Sequence, residues 1–196
     1  MRLSAAFARS PAPERSEIKR WIADARDLCD LPDKLATLAR YWLDARGARD
    51  VLPRAALDPT AVKTILPSLL MFGLEYDGAV LRSVRIRLMG TQLVRVYGRD
   101  WTGLTTDQFD RADQVDAHMQ RLQEIAARRQ PLYWRQWSLA DGCEDLFAER
   151  LMCPLAGPDG AVTSVLAIID FPGMEYDPRV REGFGPLLPM ARRAIM

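Results

Sequence analysis

A chain of 196 residues, 48% apolar and 27% charged, is long enough for one domain of about 100–150 residues with extensions. Its 27 Lys+Arg against 26 Asp+Glu leave a formal charge of +1, which gives no basic face for nucleic acid or for an anionic membrane. Three cysteines (Cys29, Cys143, Cys153) without C-x-x-C spacing argue against a disulfide framework or a zinc site.

The first residues, MRLSAAFARSPAPERS, hold a small or apolar run too short for the h-region of a secretory signal, and no stretch approaches the length of a membrane span. These features predict a cytoplasmic protein with reduced thiols. Residues 1–15, with Pro11 and Pro13, read as a mobile tail. From Ser16, a cap candidate, Ile18, Trp21, Ile22, Ala25 and Leu28 recur at helical spacing, so a first helix is predicted up to Pro32. Asp33 opens a second helix through Arg46, with Leu35, Leu38, Ala39, Trp42 and Leu43 on one face and Gly47 as its stop.

Asp58-Pro59 is a cap-plus-first-turn signal for a short helix carrying Val62, Ile65 and Leu66, ended by Pro67. "SLLMFGLEY" then reads as a strand that turns at Asp77-Gly78 into "VLRSVRIRLM". In the second strand Val84, Ile86 and Leu88 alternate with Arg85 and Arg87, the pattern of a half-buried strand. "GTQLVRVYGRDWTG" follows, and its glycines read as punctuation: strand end at Gly90, helix cap at Thr91, helix stop at Gly98. Asp100 and Thr102 are placed to bond backbone amides within the turn. The spacing matches no phosphate-binding glycine loop, and no lysine follows Lys63 to serve one.

An amphipathic helix comes next, with Val115, His118, Met119, Leu122, Ile125 and Ala126 on one face, ending near Pro131. Three strands close the pattern, "LYWRQWSL", "LFAERLMCPL" and "AVTSVLAIIDF", with turns at Ala140-Asp141-Gly142 and Gly157–Gly160. A segment after Pro178 carries helical spacing broken by Gly185, Pro186 and Pro189. Two strands, a helical crossover and an antiparallel meander of three predict an α+β domain with a five-stranded antiparallel sheet and helices mainly on one face. The division is tail 1–15, N-terminal helices 16–46, sheet domain 47–171 and C-terminal extension 172–196.

"YWLDARG" (41–47), "LPRAALDPTAVKTILPSLLM" (52–71), "RIRLMGTQLVRVYGRDWTG" (85–103), "RRQPLYWR" (128–135) and "ERLMCPL" (149–155) come in an order and at spacings that resemble the PAS domain, in particular the short stand-alone PAS-like proteins of alphaproteobacteria. The likeness covers about residues 36–171 and implies a five-stranded sheet whose helical crossover encloses a small pocket. It implies a sensory or protein-interaction module of bacterial signalling, without catalytic residues, that acts when a ligand or partner shifts its population of states. Since no output sequence follows the sheet, a signalling partner or the terminal helices are expected to carry the response. The position where photoactive flavin members of the superfamily carry a reactive cysteine holds Asp100-Trp101, which speaks against adduct photochemistry.

The candidate pocket lining is His118, Met119, Leu122, Leu88, Tyr97 and Trp101, suited to a small apolar ligand. His118, the single histidine, occupies the helix that supplies the axial ligand in haem PAS proteins, so a haem or other cofactor sensor is one alternative. A small enzyme acting on an apolar substrate is another, although the acids at 107–116 and 144–149 have no histidine or metal cluster beside them and no serine elbow occurs. The cofactor is left open, and no metal is expected. Five tryptophans exceed what one small core needs. Trp134 and Trp137 point to opposite faces of one strand, so a homodimer interface or contact with the N-terminal helices is predicted.

Overall fold

The computed structural model describes residues 18–109, 112–137 and 147–172. The predicted tail, the 140–142 turn and the helical spacing after Pro178 lie outside them. The described chain forms an α+β fold around one sheet of seven strands. They are β1 (Ile18–Trp21), β2 (Leu52–Pro53), β3 (Leu69–Asp77), β4 (Val80–Met89), β5 (Leu132–Trp137), β6 (Phe147–Ala156) and β7 (Val162–Asp170). Three helices accompany them: α1 (Asp33–Arg46), α2 (Thr91–Tyr97) and α3 (Ala112–Arg128). The order across the sheet is β1-β5-β6-β7-β3-β4, all antiparallel, while β2 runs parallel to the end of β6.

The five predicted strands run side by side in the order β5-β6-β7-β3-β4, and two additions enlarge the sheet. The first is a correction: Ile18–Trp21 is a strand and not the start of a helix. It pairs with β5 from Ile18↔Arg135 to Trp21↔Leu132. An unpaired edge on β5 offers a row of backbone donors and acceptors, and satisfying them outweighs a helical period only a few turns long. The helical tendency survives as one 3-10 turn at Ala25–Leu28. There Asp24 and Asp27 form a reciprocal capping box, with Asp24 accepting from the Arg26 amide at 2.8 Å. The second addition is β2, which extends the β5 side of β6 where Leu52 meets Leu155. The short helix expected after Asp58-Pro59 is a run of turns ending in a 3-10 turn at Leu66–Ser68. Asp58 caps it by accepting from the Thr60 amide at 2.9 Å.

Strand alternation sorts the sheet into two faces, and each has its own cover. One face of β6 and β7 presents Leu151, Cys153, Leu166 and Ile168, all buried, and α1 packs there through Leu35, Leu38, Ala39 and Trp42. Burying each such side chain contributes about 1.5–3 kcal/mol. The Trp42 indole donates to the Pro154 carbonyl at 2.8 Å, and Lys34 pairs with Asp170 at 2.7 Å. The helices therefore lie on both faces of the sheet. The opposite face carries Phe72, Trp134, Arg150, Met152, Val165, Ala167 and Ile169 beneath α2 and α3.

The loop into α2 is held by close backbone approach. A Cβ on Gly90 would lie 2.3 Å from the Pro67 carbonyl oxygen, so that position admits only glycine without movement. Gly90 itself occupies the cap position expected of Thr91, which is the first helical residue. Gly98 ends α2 in the left-handed region at φ 73°, as its place in the sequence implies. Asp100 then accepts from the Thr102 amide at 2.8 Å and closes the turn toward Gly103.

Candidate functional site

An aromatic and cationic cluster stands where α2, α3 and the sheet meet. Tyr97, from the last turn of α2, packs at a tilt against Trp101 with centroids 4.5 Å apart and meets Phe171 edge-on at 6.1 Å. Trp101 in turn meets Phe109 edge-on at 5.6 Å, and its amide lies 3.4 Å from the Met89 sulfur. From the sheet floor, Arg150 lies beside the Tyr97 hydroxyl and 4.7 Å from the centroid of the Trp134 ring. From α3, Arg121 lies 3.5 Å from the centroid of the same ring. Such cation–π contacts hold a guanidinium where water is scarce.

His118 completes the cluster on α3. Its ring meets Phe72 edge-on at 4.9 Å. Burial, followed by the positive charges of Arg121 and Arg150, pushes its pKa down from 6.5 to about 3. The imidazole is therefore neutral at ordinary pH. Burial likewise holds the Arg150 guanidinium below its usual pKa, partly offset by Tyr97, while the buried Tyr97 hydroxyl is pushed up.

Two more residues have donors at this cluster. The Trp101 and Trp134 side chains are 4% and 5% exposed, and neither indole N–H finds an acceptor among the described residues. Arg150 has no carboxylate within salt-bridge distance among them. The other face of the same strands differs. There Glu149, 2% exposed, accepts from the Tyr133 hydroxyl at 2.7 Å and from Arg135 at 2.8 and 2.6 Å. That acid is fully used, and burial together with Glu149 pushes Tyr133 up to about 12. Glu149 and its partners form a structural clasp between β5 and β6.

Of the residues expected at the pocket, Tyr97, Trp101 and His118 stand in this cluster. Leu122 is fully buried on the same helix, with Met119 half-buried beside the core. Leu88 does not join them. A β-bulge between Met71 and Phe72 lets Ile86 face Phe72 while Leu88 faces Met71. Arg87 and Leu88 are consecutive exposed residues, and Leu88 is 37% exposed on the outer face. Strict alternation had placed it inside; Met89 and Ile86 take that role.

Phe72, Arg121, Trp134 and Arg150 are the members sequence reasoning missed. A signal existed in "AERLM": period two puts Glu149 with Leu151 and Arg150 with Met152, so a strand buried on both faces carries one charge toward each. Nothing at His118 distinguishes an iron ligand from an ordinary packed imidazole. Among the described residues no group of three His, Cys, Asp or Glu side chains is placed to hold a metal, and no helix is long and apolar enough to cross a membrane.

No curated protein matches the chain. A solved structure of an RNA-binding light-oxygen-voltage receptor is similar at a TM-score of 0.44 and 13% identity, over 87% of this chain and 41% of that one. The chain thus spans less than half the length of that protein. A family model described as PAS domain matches residues 32–170, from the start of α1 to the end of β7. The protein therefore belongs to the PAS domain family, whose members are generally sensory or signalling modules.

Proposed function

We propose that this protein is a non-catalytic sensory module in bacterial signalling, and that occupancy of the space between α2, α3 and the sheet is what it senses. The observation that supports the reading most is the Tyr97–Arg150–Trp134–Arg121 chain with His118 beside it. It ties α2, β6, β5 and α3 together at one point. A ligand that separates or replaces these contacts changes the relative stability of two arrangements of α2 and α3, which is the thermodynamic content of sensing. The flanking segments report the change to a signalling partner, as a homodimer in the cytoplasm.

The test compares natively purified protein with the same protein unfolded in urea and refolded to strip small molecules. Native mass spectrometry should show a small-molecule mass adduct only in the first. Hydrogen exchange should be slower in 91–97 and 112–128 of the adduct-bearing form. Identical masses together with identical exchange would refute the reading. A monomer mass in light scattering would remove the homodimer from it.

A further inference from the structure

The cluster is rich in donors and poor in acceptors. Arg150 offers a guanidinium fork, and its neighbours among the described residues are the Tyr97 hydroxyl and, at a long 3.5 Å, the Ala148 carbonyl. The ring it covers belongs to Trp134, and neither that indole N–H nor the Trp101 indole N–H across Tyr97 has an acceptor among the described residues. A buried donor left unsatisfied costs about 1–3 kcal/mol, and a buried charge without a counterion costs more. Native proteins pair such groups, so donors of this kind within one cluster suit a partner with acceptor oxygens and negative charge. The same elements also carry apolar side chains: Phe72, Ile86, Met89, Leu122, Ile125 and Met152 are all buried. A doubly charged or fully polar ligand would bury polar surface against these side chains at a loss.

We propose that this site takes a small amphiphilic monocarboxylate, its carboxylate received by Arg150 with the neighbouring indole N–H donors and its aromatic or hydrocarbon body seated among the apolar side chains. The planar fork of an arginine matches two carboxylate oxygens, and charge-assisted pairs of this kind are about twice as strong as neutral hydrogen bonds. The ligand class deepens the sensory reading above and rests on it for its meaning.

The test titrates the full chain, after refolding from urea, with benzoate, phenylacetate, indole-3-acetate and octanoate, each beside its own primary amide. Calorimetry reads the affinity. At least one acid should bind tenfold or more tightly than its amide. Arg150→Met keeps the apolar stem and should reduce that ratio to about one. Trp134→Phe keeps the ring, loses the N–H, and should weaken the acid alone. Melting curves of both variants establish that they fold, and Arg150→Lys, which keeps the charge, should retain part of the preference if Arg150→Met does not fold.

Acids and amides binding alike, no acid binding at 10 mM, or a preference unchanged in folded Arg150→Met would each overturn the ligand class. A neutral ligand would still leave the sensory reading standing. Acids that bind through Arg150 yet leave exchange in α2 and α3 unchanged would support the ligand class and refute the sensory reading.

Discussion

His118 makes acid stability a direct probe of the cluster between α2, α3 and the sheet. It is the single histidine, so one residue dominates titration between neutral pH and the carboxylate range. Its folded pKa, about 3, is depressed below the ordinary 6.5 by burial and by Arg121 and Arg150. The unfolded chain therefore binds a proton that the folded chain refuses, and stability falls as pH drops below 6.5. The slope between the two values is about 1.4 kcal/mol per pH unit. From neutral pH to about 4.5 the fully shifted group would remove about 2.7 kcal/mol. Solvent reaching a half-buried ring reduces this, which sets the expected loss at about 1–2 kcal/mol.

The window is clean because the acids with lowered pKa values act lower. Asp24, held to about 2 by Arg26, and Asp50, Asp58 and Asp100 have ordinary values of 3.8. Their stabilisation is lost only as pH falls below that value. Urea unfolding followed by tryptophan fluorescence at several pH values measures the slope. His118→Gln should flatten it between pH 7 and 4.5. Equal slopes in the two proteins, or an imidazole that titrates near 6.5 in the folded protein by NMR, would refute the argument.

Gly90→Ala should cost about 1–3 kcal/mol, because its Cβ would meet the Pro67 carbonyl at 2.3 Å and the Leu66 carbonyl at 2.5 Å. Gly98→Ala has open space around it and only the left-handed backbone to resist, so about 1–2 kcal/mol is expected. Denaturation midpoints with Gly98→Ala below Gly90→Ala would reverse the assignment of close approach to Gly90. Glu149→Ala leaves the Tyr133 hydroxyl and Arg135 without their shared acceptor. A loss of about 1–3 kcal/mol is expected in the same assay, since the Arg135 side is partly solvated. An unchanged midpoint would show that the clasp between β5 and β6 contributes nothing.

The sequence by itself determined the elements whose signals are local. Residues Asp33–Arg46 carry an apolar helical face between a proline and a glycine, and α1 has those bounds. Asp77-Gly78 joins two alternating strands, and the β3–β4 hairpin turns there. Gly98 follows the last turn of α2 and takes the left-handed backbone that stops it. The PAS resemblance came from the order of such elements.

Tertiary structure decided the rest. Ile18–Trp21 has helical spacing, yet it is a strand because the edge of β5 supplies partners that residues more than a hundred positions away cannot announce. Leu88 obeys alternation until a bulge against β3 shifts the register and turns it outward. Arg150 is one charge in a strand by sequence. Only the packing of α2 and α3 over that strand makes it a partly buried cation beside Tyr97 and Trp134. Periodicity reports which side of an element is apolar. Hydrogen-bond partners, register and the groups that share a cavity are set between distant segments, where the free energy of pairing backbone and burying charge is decided.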